Sequence, residues 1–212
     1  MIRVKICGVT KPEDAKLCAE LGAHAIGLNF YEASPRCITP FAASEIIRRL
    51  PPFIAPIGVF VNWAPAPIVA LCKALRLSAA QLHGDEPQQI VDAVARCLPV
   101  IKALRLGQGT AGNPDFSRYR SASAFLLDSP VSGQYGGSGT TGNWHLARTA
   151  AQTQRVVLAG GLNPENVAEA IRIVRPYAVD VASGVEQRPG KKDPVKLRAF
   201  FDEVQRASRE IS

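Results

Sequence analysis

The chain lacks any hydrophobic run long enough to cross a bilayer. Its longest nearly apolar stretch, Phe53 to Val61, falls far short of the ~20 residues a membrane helix needs. The opening MIRVKICGVT carries charge inside its apolar run and lacks the uninterrupted centre of a signal peptide. The five cysteines, Cys7, Cys18, Cys37, Cys72 and Cys97, are scattered, odd in number and never spaced CxxC. That argues against a disulfide framework. The three histidines, His24, His83 and His145, lie far apart, and no ligand pair recurs at short spacing, so no zinc site is expected. A cytoplasmic protein with no membrane contact is the simplest expectation. Linkers, charge runs and composition shifts are missing too, so one domain over residues 1–212 is expected.

What is present is ordinary globular composition. Of 212 residues, 47% are hydrophobic and 20% charged, which excludes collagen-like, low-complexity and largely disordered chains. This length can bury a substantial core. Lys and Arg number 25 against 18 Asp and Glu, giving a net charge of +7. A basic balance favours an anionic partner: nucleic acid, anionic membrane, or a small phosphorylated or carboxylated ligand. The sequence shows no aromatic-studded basic stripe and no recognition-helix module. A nucleic-acid partner is therefore not expected, and the charge is read as serving a small anionic substrate.

Short β-rich runs alternate with helical patterns from end to end. The pairs read as Arg3–Cys7 with a helix from Lys11 to Gly22, Ala25–Phe30 with Pro40–Leu50, and Pro56–Val61 with Pro65–Leu75. Ala79–His83 with Gln88–Leu98 follows, then Val100–Leu104 with a weak helix at best before Tyr119. The last three are Ala124–Asp128 with Trp144–Gln152, Val156–Ala159 with Glu165–Val174, and Val179–Ala182 with Val195–Ala207. Strands apolar at nearly every position suit a sheet buried on both faces. Eight strand–helix pairs with short links predict an α/β fold, a (β/α)₈ TIM barrel near its lower size limit. A doubly wound open sheet is the rival, weakened because no G-x-G-x-x-G follows the first strand.

In such a barrel, function sits at the C-terminal strand ends. Cys7, Asn29, Arg36, Asn62, His83, Lys102, Asp128, Gly160–Gly161 and Ser183–Gly184 are then expected around one mouth. The turns after strands seven and eight, AGGLNP and DVASGV (Asp180 to Val185), place small residues where backbone N–H groups can approach an anion. Asn163 and Pro164 read as the cap and first position of the seventh helix. Tight turns without a ligand are the plainer reading of each glycine.

Cys7 reads either as a small buried hydrophobe or as a base whose thiol must be deprotonated to act. Asp128, straight after an apolar strand, is costly there unless solvated, paired or functional. Partial burial would let it hold a proton and act as an acid. Arg36 is suited to a two-point clamp on a carboxylate, although solvation is commoner for a loop arginine. His83 lines the mouth as a base or as a structural histidine. Lys5 and Lys102 point into the barrel or solvate its rim, with no catalytic role assigned.

VKICGVT, NFYEASPRCI, IGVFVN, QLHGDE, FLLDS, YGGSG, AGGLNPENV and DVASGVE–PGKKD, running in order from Val4 to Asp193, resemble the phosphoribosylanthranilate isomerases of tryptophan biosynthesis. The resemblance implies a (β/α)₈ barrel working without metal or organic cofactor on a small phosphorylated substrate; monomer and homodimer both stay open, since barrel helices can bury apolar patches in a dimer without a sequence signature. It matches Cys7 to the general base, Asp128 to the general acid and Arg36 to the group holding the anthranilate carboxylate. From their places at the mouth and in the turns after strands seven and eight, His83, Gly160, Gly161, Asp180, Ser183 and Gly184 are expected to bind substrate together with Arg36. Other sugar-phosphate barrels share the fold and the phosphate turns; the Cys7–Asp128 pair with the Ser34-Pro35-Arg36 loop separates them. One block departs: GGSGTTGNW stands where the family commonly reads GGSGKTFDW. Gly142 replaces an aromatic and Asn143 an acid, with Asn143 expected to cap the sixth helix. The loop from Ser129 to Gly142 holds five glycines and is expected to move during binding.

Overall fold

The computed structural model describes residues 1–106, 114–128 and 141–211. In chain order its elements are β1 (Arg3–Ile6), α1 (Pro12–Glu20), β2 (Ala25–Asn29), α2 (Pro40–Ile47), β3 (Ala55–Phe60) and α3 (Pro65–Ala74). There follow β4 (Ala79–Leu82), α4 (Gln88–Ala95), β5 (Val100–Arg105) and β6 (Ala124–Asp128). The chain then forms α5 (Thr141–Ala151), β7 (Val156–Ala159), α6 (Val167–Val174) and β8 (Ala178–Val181). A hairpin of β9 (Glu186–Arg188) and β10 (Lys191–Lys192) precedes α7 (Pro194–Glu210). Strands β1 to β8 pair in parallel and in order, and β8 returns to β1 with Lys5 opposite Asp180. That last pairing closes the barrel and excludes the open sheet.

Local chemistry explains the helix starts. Proline stands at the first helical positions of α1, α2, α3 and α7, where its missing N–H costs nothing. Thr39 and Asp193 accept backbone N–H bonds as caps of α2 and α7.

Two layers of side chains hold the barrel. The outer layer, between sheet and helices, contains Ile6, Leu28, Phe60, Leu82, Leu127, Leu158 and Phe200 among many others. Each such buried side chain contributes roughly 1.5–3 kcal/mol. The interior holds far fewer apolar groups, mostly small: Ala25, Ala79, Ala103, Ala124, Ala159 and Ala178 with Ile57, Leu126 and Val157. Stability therefore comes mainly from the outer layer. The small interior residues leave room inside the barrel for long polar side chains.

Several expectations need correction. The fifth helix is only a 3₁₀ turn, Phe116–Tyr119, and residues 107–113 before it lie outside the described residues. α5 starts at Thr141, so Asn143 stands inside the helix rather than at its cap. The remainder of the Ser129–Gly142 loop, with its expected motion, lies outside the described residues. Asn163 does not cap α6 directly. Its Oδ1 accepts from the N–H groups of Glu165 and Asn166, while Asn166 Oδ1 accepts from Asn163 N–H. This reciprocal pair builds a preceding turn, and α6 begins at Val167. The β9–β10 hairpin was not expected at all. Among the described residues, no helix is long and apolar enough to cross a membrane.

Candidate active site

Strand register delivers the site. On β1, Lys5 and then Cys7 face the axis, and β8 sets Asp180 beside Lys5. Asp128 ends β6 and His83 follows β4. One cavity of about 230 Å³ is lined by Cys7, His83, Asp128, Gly160, Gly161, Asp180 and Ser183. A second polar cavity, lined in part by Arg105, Arg118 and Tyr119, meets it at His83 and Asp128. The strand-end residues so gathered span much of the barrel mouth, from β1 through β4, β6 and β7 to β8.

Gly160 and Gly161 have φ of 85° and 63°, a left-handed turn that side chains rarely adopt. At these two positions only backbone faces the cavity, with Leu162 following in its wall. Gly184 is not part of the cavity lining. A side chain there would collide with the Leu162 carbonyl, so this glycine lets the turns after β7 and β8 touch.

Asp128 keeps 40% of its side chain exposed at the cavity. Its neighbour is His83, whose Nε2 lies 3.8 Å from Asp128 Oδ2. The other ring nitrogen, Nδ1, lies 2.7 Å from Nε2 of buried Gln81. Gln81 Oε1 is buried without a partner among the described residues.

Arg36 is not in the cavity wall. Its Nε donates to Glu186 Oε1 at 2.9 Å and its Nη2 to Oε2 at 2.6 Å, so one edge of the guanidinium is occupied. Nη1 makes no hydrogen bond among the described residues, and the group is close enough to Cys7 for their charges to interact. Glu186 also accepts from Lys192 Nζ at 3.0 Å, and Lys192 donates to the carbonyls of Cys7 and Ala182. Burial raises the Glu186 carboxyl, but the bonds from Arg36 and Lys192 outweigh it and hold it below the usual range. Glu186 and Lys192 were missed in the sequence. The Pro189-Gly190 dipeptide between charged residues was a hairpin signal that could have drawn attention to them.

Lys102 borders the second cavity but does not reach the one that holds Cys7 and Asp128. It lies on the helix-facing side of β5, since its neighbour Ala103 is interior, and it is buried under the loop after β4. There it donates to the carbonyls of Leu82 and Gly84 and to Glu86 Oε2 at 2.7 Å. Asn62, with φ of 56°, joins the same knot by donating its N–H to Glu86 and accepting from Asp85 N–H. Asn29 is likewise structural, bonded to Ser34 and to the Tyr31 N–H. Among the described residues, no group of three His, Cys, Asp or Glu side chains could hold a metal ion.

Comparison with known proteins agrees with this arrangement. The family described as N-(5'-phosphoribosyl)anthranilate isomerase matches residues 4–203. A curated relative of that name from Pelobacter propionicus is 52% identical over 201 residues, covering 95% of this chain and 94% of its own. The crystal structure of phosphoribosyl anthranilate isomerase from Thermotoga maritima superposes with a TM-score of 0.87 at 44% identity, over 97% of this chain and 99% of that one. A further phosphoribosyl anthranilate isomerase structure, in complex with reduced 1-(o-carboxyphenylamino)-1-deoxyribulose 5-phosphate, has a TM-score of 0.84 at 42% identity, over 97% and 99%. A barrel that closes through Lys5 and Asp180, with thiol, carboxylate and glycine turns at one mouth, thus shares sequence and fold over almost its whole length with these enzymes, and the chain belongs to the N-(5'-phosphoribosyl)anthranilate isomerase family.

Proposed function

We propose that the chain isomerises N-(5'-phosphoribosyl)anthranilate to 1-(2-carboxyphenylamino)-1-deoxyribulose 5-phosphate, a step of tryptophan biosynthesis. The observation that carries this reading is the single cavity into which β1 brings a thiol and β6 a carboxylate, beside the glycine turn after β7. An Amadori rearrangement needs those two groups. Asp128 donates a proton to the ribose ring oxygen as the ring opens to a Schiff base. The Cys7 thiolate then removes the C2 proton, and the enolamine formed tautomerises to the ketone.

The remaining residues bind. Gly160, Gly161 and Ser183 shape the phosphate end, where backbone N–H groups can approach an anion closely, and Gly184 serves it only by letting the two turns meet. Asp180 forms the cavity floor through its bond to Lys5. Arg36 meets the anthranilate carboxylate with the guanidinium edge that Glu186 leaves open. His83 flanks the acid and offers Nε2 to the substrate. The positive net charge assists capture of a substrate bearing both phosphate and carboxylate.

The decay of substrate anthranilate fluorescence on adding purified protein tests the activity. Complementation of a tryptophan auxotroph lacking this isomerase tests it in a cell. No decay and no growth would overturn the proposal.

A further inference from the structure

Two buried charges inside the barrel have no part in the proton transfers above. Lys5 and Asp180 have side chains 5% and 7% exposed, and Lys5 Nζ donates to Asp180 Oδ1 at 2.9 Å. Cys7 follows β1, two residues beyond Lys5 on the same interior face, and the charge of Lys5 acts on its thiol. Gly27 on the neighbouring strand makes this approach feasible. A Cβ at that position would lie 2.7 Å from Cys7 Sγ and 3.1 Å from Lys5 Nζ, so both atoms use the space that glycine leaves.

We propose that Lys5 is a positioning residue for the reaction: anchored by Asp180, it keeps its ammonium on the Gly27 side of Cys7 and offsets part of the burial that opposes the thiolate which removes the substrate proton. This rests on the reading of Cys7 as the base. A buried ion pair is a weak source of stability, whereas an ammonium beside a thiol directly favours the charged sulfur. Asp180 both supports and opposes this effect. It keeps Lys5 in place, yet its negative charge competes with the thiolate for the same cation.

The charged groups around Cys7 act in separable directions. Burial, helped by Asp180, holds the Cys7 thiol above its ordinary value, while Lys5 and Lys192, which lies beneath the Cys7 carbonyl, pull it back down. Arg36 stands near it in the loop after β2, and His83 and Asp128 line the cavity with it. Burial alone would lower the Lys5 ammonium, but Asp180 and then Cys7 hold it above its ordinary value. The cation is therefore present throughout the range in which a thiol titrates.

Opposite effects from the two partners provide the test. Iodoacetamide alkylates a thiolate with loss of iodide, and its rate at Cys7, followed on the Cys7 peptide by mass spectrometry, reads the thiolate fraction against pH. Lys5→Met should move the midpoint up and slow alkylation at neutral pH by about tenfold or more. Asp180→Asn keeps the shape and an acceptor for Lys5 while removing the competing charge; it should move the midpoint down and speed alkylation. Lys5→Met should also lower kcat with KM nearly unchanged. If Lys5→Met does not fold, the double variant Lys5→Met with Asp180→Asn removes both charges and should still show a midpoint above wild type. An unchanged midpoint in the foldable lysine variant, or shifts of the same sign in Lys5→Met and Asp180→Asn, would overturn the proposal. Alkylation does not depend on turnover. A Cys7→Ala enzyme with full activity would instead sink the base assignment while leaving the alkylation result intact.

Discussion

Arg36 and Glu186 meet along a single edge of the guanidinium, Nε and Nη2 against the two carboxylate oxygens, at 2.9 and 2.6 Å. The arginine is thus held by one edge with the other left for a ligand, a division that a lysine ammonium cannot reproduce. Arg36→Met and Arg36→Lys should therefore both raise KM for the carboxylated substrate by about ten- to a hundredfold, each with kcat much less affected. An analogue lacking the ring carboxylate should show little change. Steady-state kinetics on both substrates checks this, and full rescue by lysine would refute the two-edge role.

Cys7 and Asp128 line one cavity from strands β1 and β6. Cys7→Ala and Asp128→Asn should each lower kcat by about two to four orders of magnitude while leaving binding of a reduced product analogue nearly intact. Titration calorimetry separates the two effects. Near-wild-type turnover in the asparagine variant would transfer the acid role, with His83 the first candidate at 3.8 Å.

The barrel was legible because its strands are apolar at almost every position and four of its helices begin at prolines, signals that depend only on neighbouring residues. Cys7, His83, Asp128, Gly160 and Gly161 were legible because each ends or directly follows its strand, so counting strands places them at the mouth. Lys102 was misplaced because parity along β5, not distance from the strand end, decides which face a side chain takes. Glu186 and Lys192 escaped notice because their importance comes from contacts with Arg36 and the Cys7 carbonyl, each about 150 or more positions away in the chain. Such contacts exist only after closure of the barrel. The resemblance supplied roles for Cys7, Asp128 and Arg36 that spacing alone left open.

Glu86 and Lys102 are joined at 2.7 Å with both side chains 2% exposed, tying the loop after β4 to β5. Burial raises the Glu86 carboxyl, but the bonds from Lys102 and the Asn62 N–H outweigh it and hold it below its ordinary value. A depressed folded value stabilises above the unfolded carboxyl pKa, and that stability is lost as pH falls through the folded value. Lys102→Met should cost about 3–5 kcal/mol at neutral pH by stranding the carboxylate. For Glu86→Gln, the deficit in Tm relative to wild type should be largest at neutral pH and shrink below the carboxylate range. A deficit independent of pH would show that ionised Glu86 does not supply the stabilisation.

The turn after β7 separates anchoring from chemistry most cleanly. Gly161 has φ of 63°, at the edge of the cavity that holds Cys7 and Asp128. Gly161→Asp adds a side chain in the left-handed region, which aspartate tolerates better than most residues. It also sets a negative charge beside the proposed phosphate position. At about 4 Å, two like charges repel by roughly 4 kcal/mol where the effective dielectric is near 20, equivalent to a thousandfold loss of affinity. The variant should therefore bind inorganic phosphate and the reduced product analogue far more weakly. Gly161→Asn is the control, because it imposes the same backbone demand and nearly the same bulk without the charge. Its affinity should fall much less. Calorimetric titration of both variants, with circular dichroism to confirm folding, gives the comparison. Equal losses in the two would make the turn a conformational requirement only, and wild-type affinity in folded Gly161→Asp would place the phosphate elsewhere.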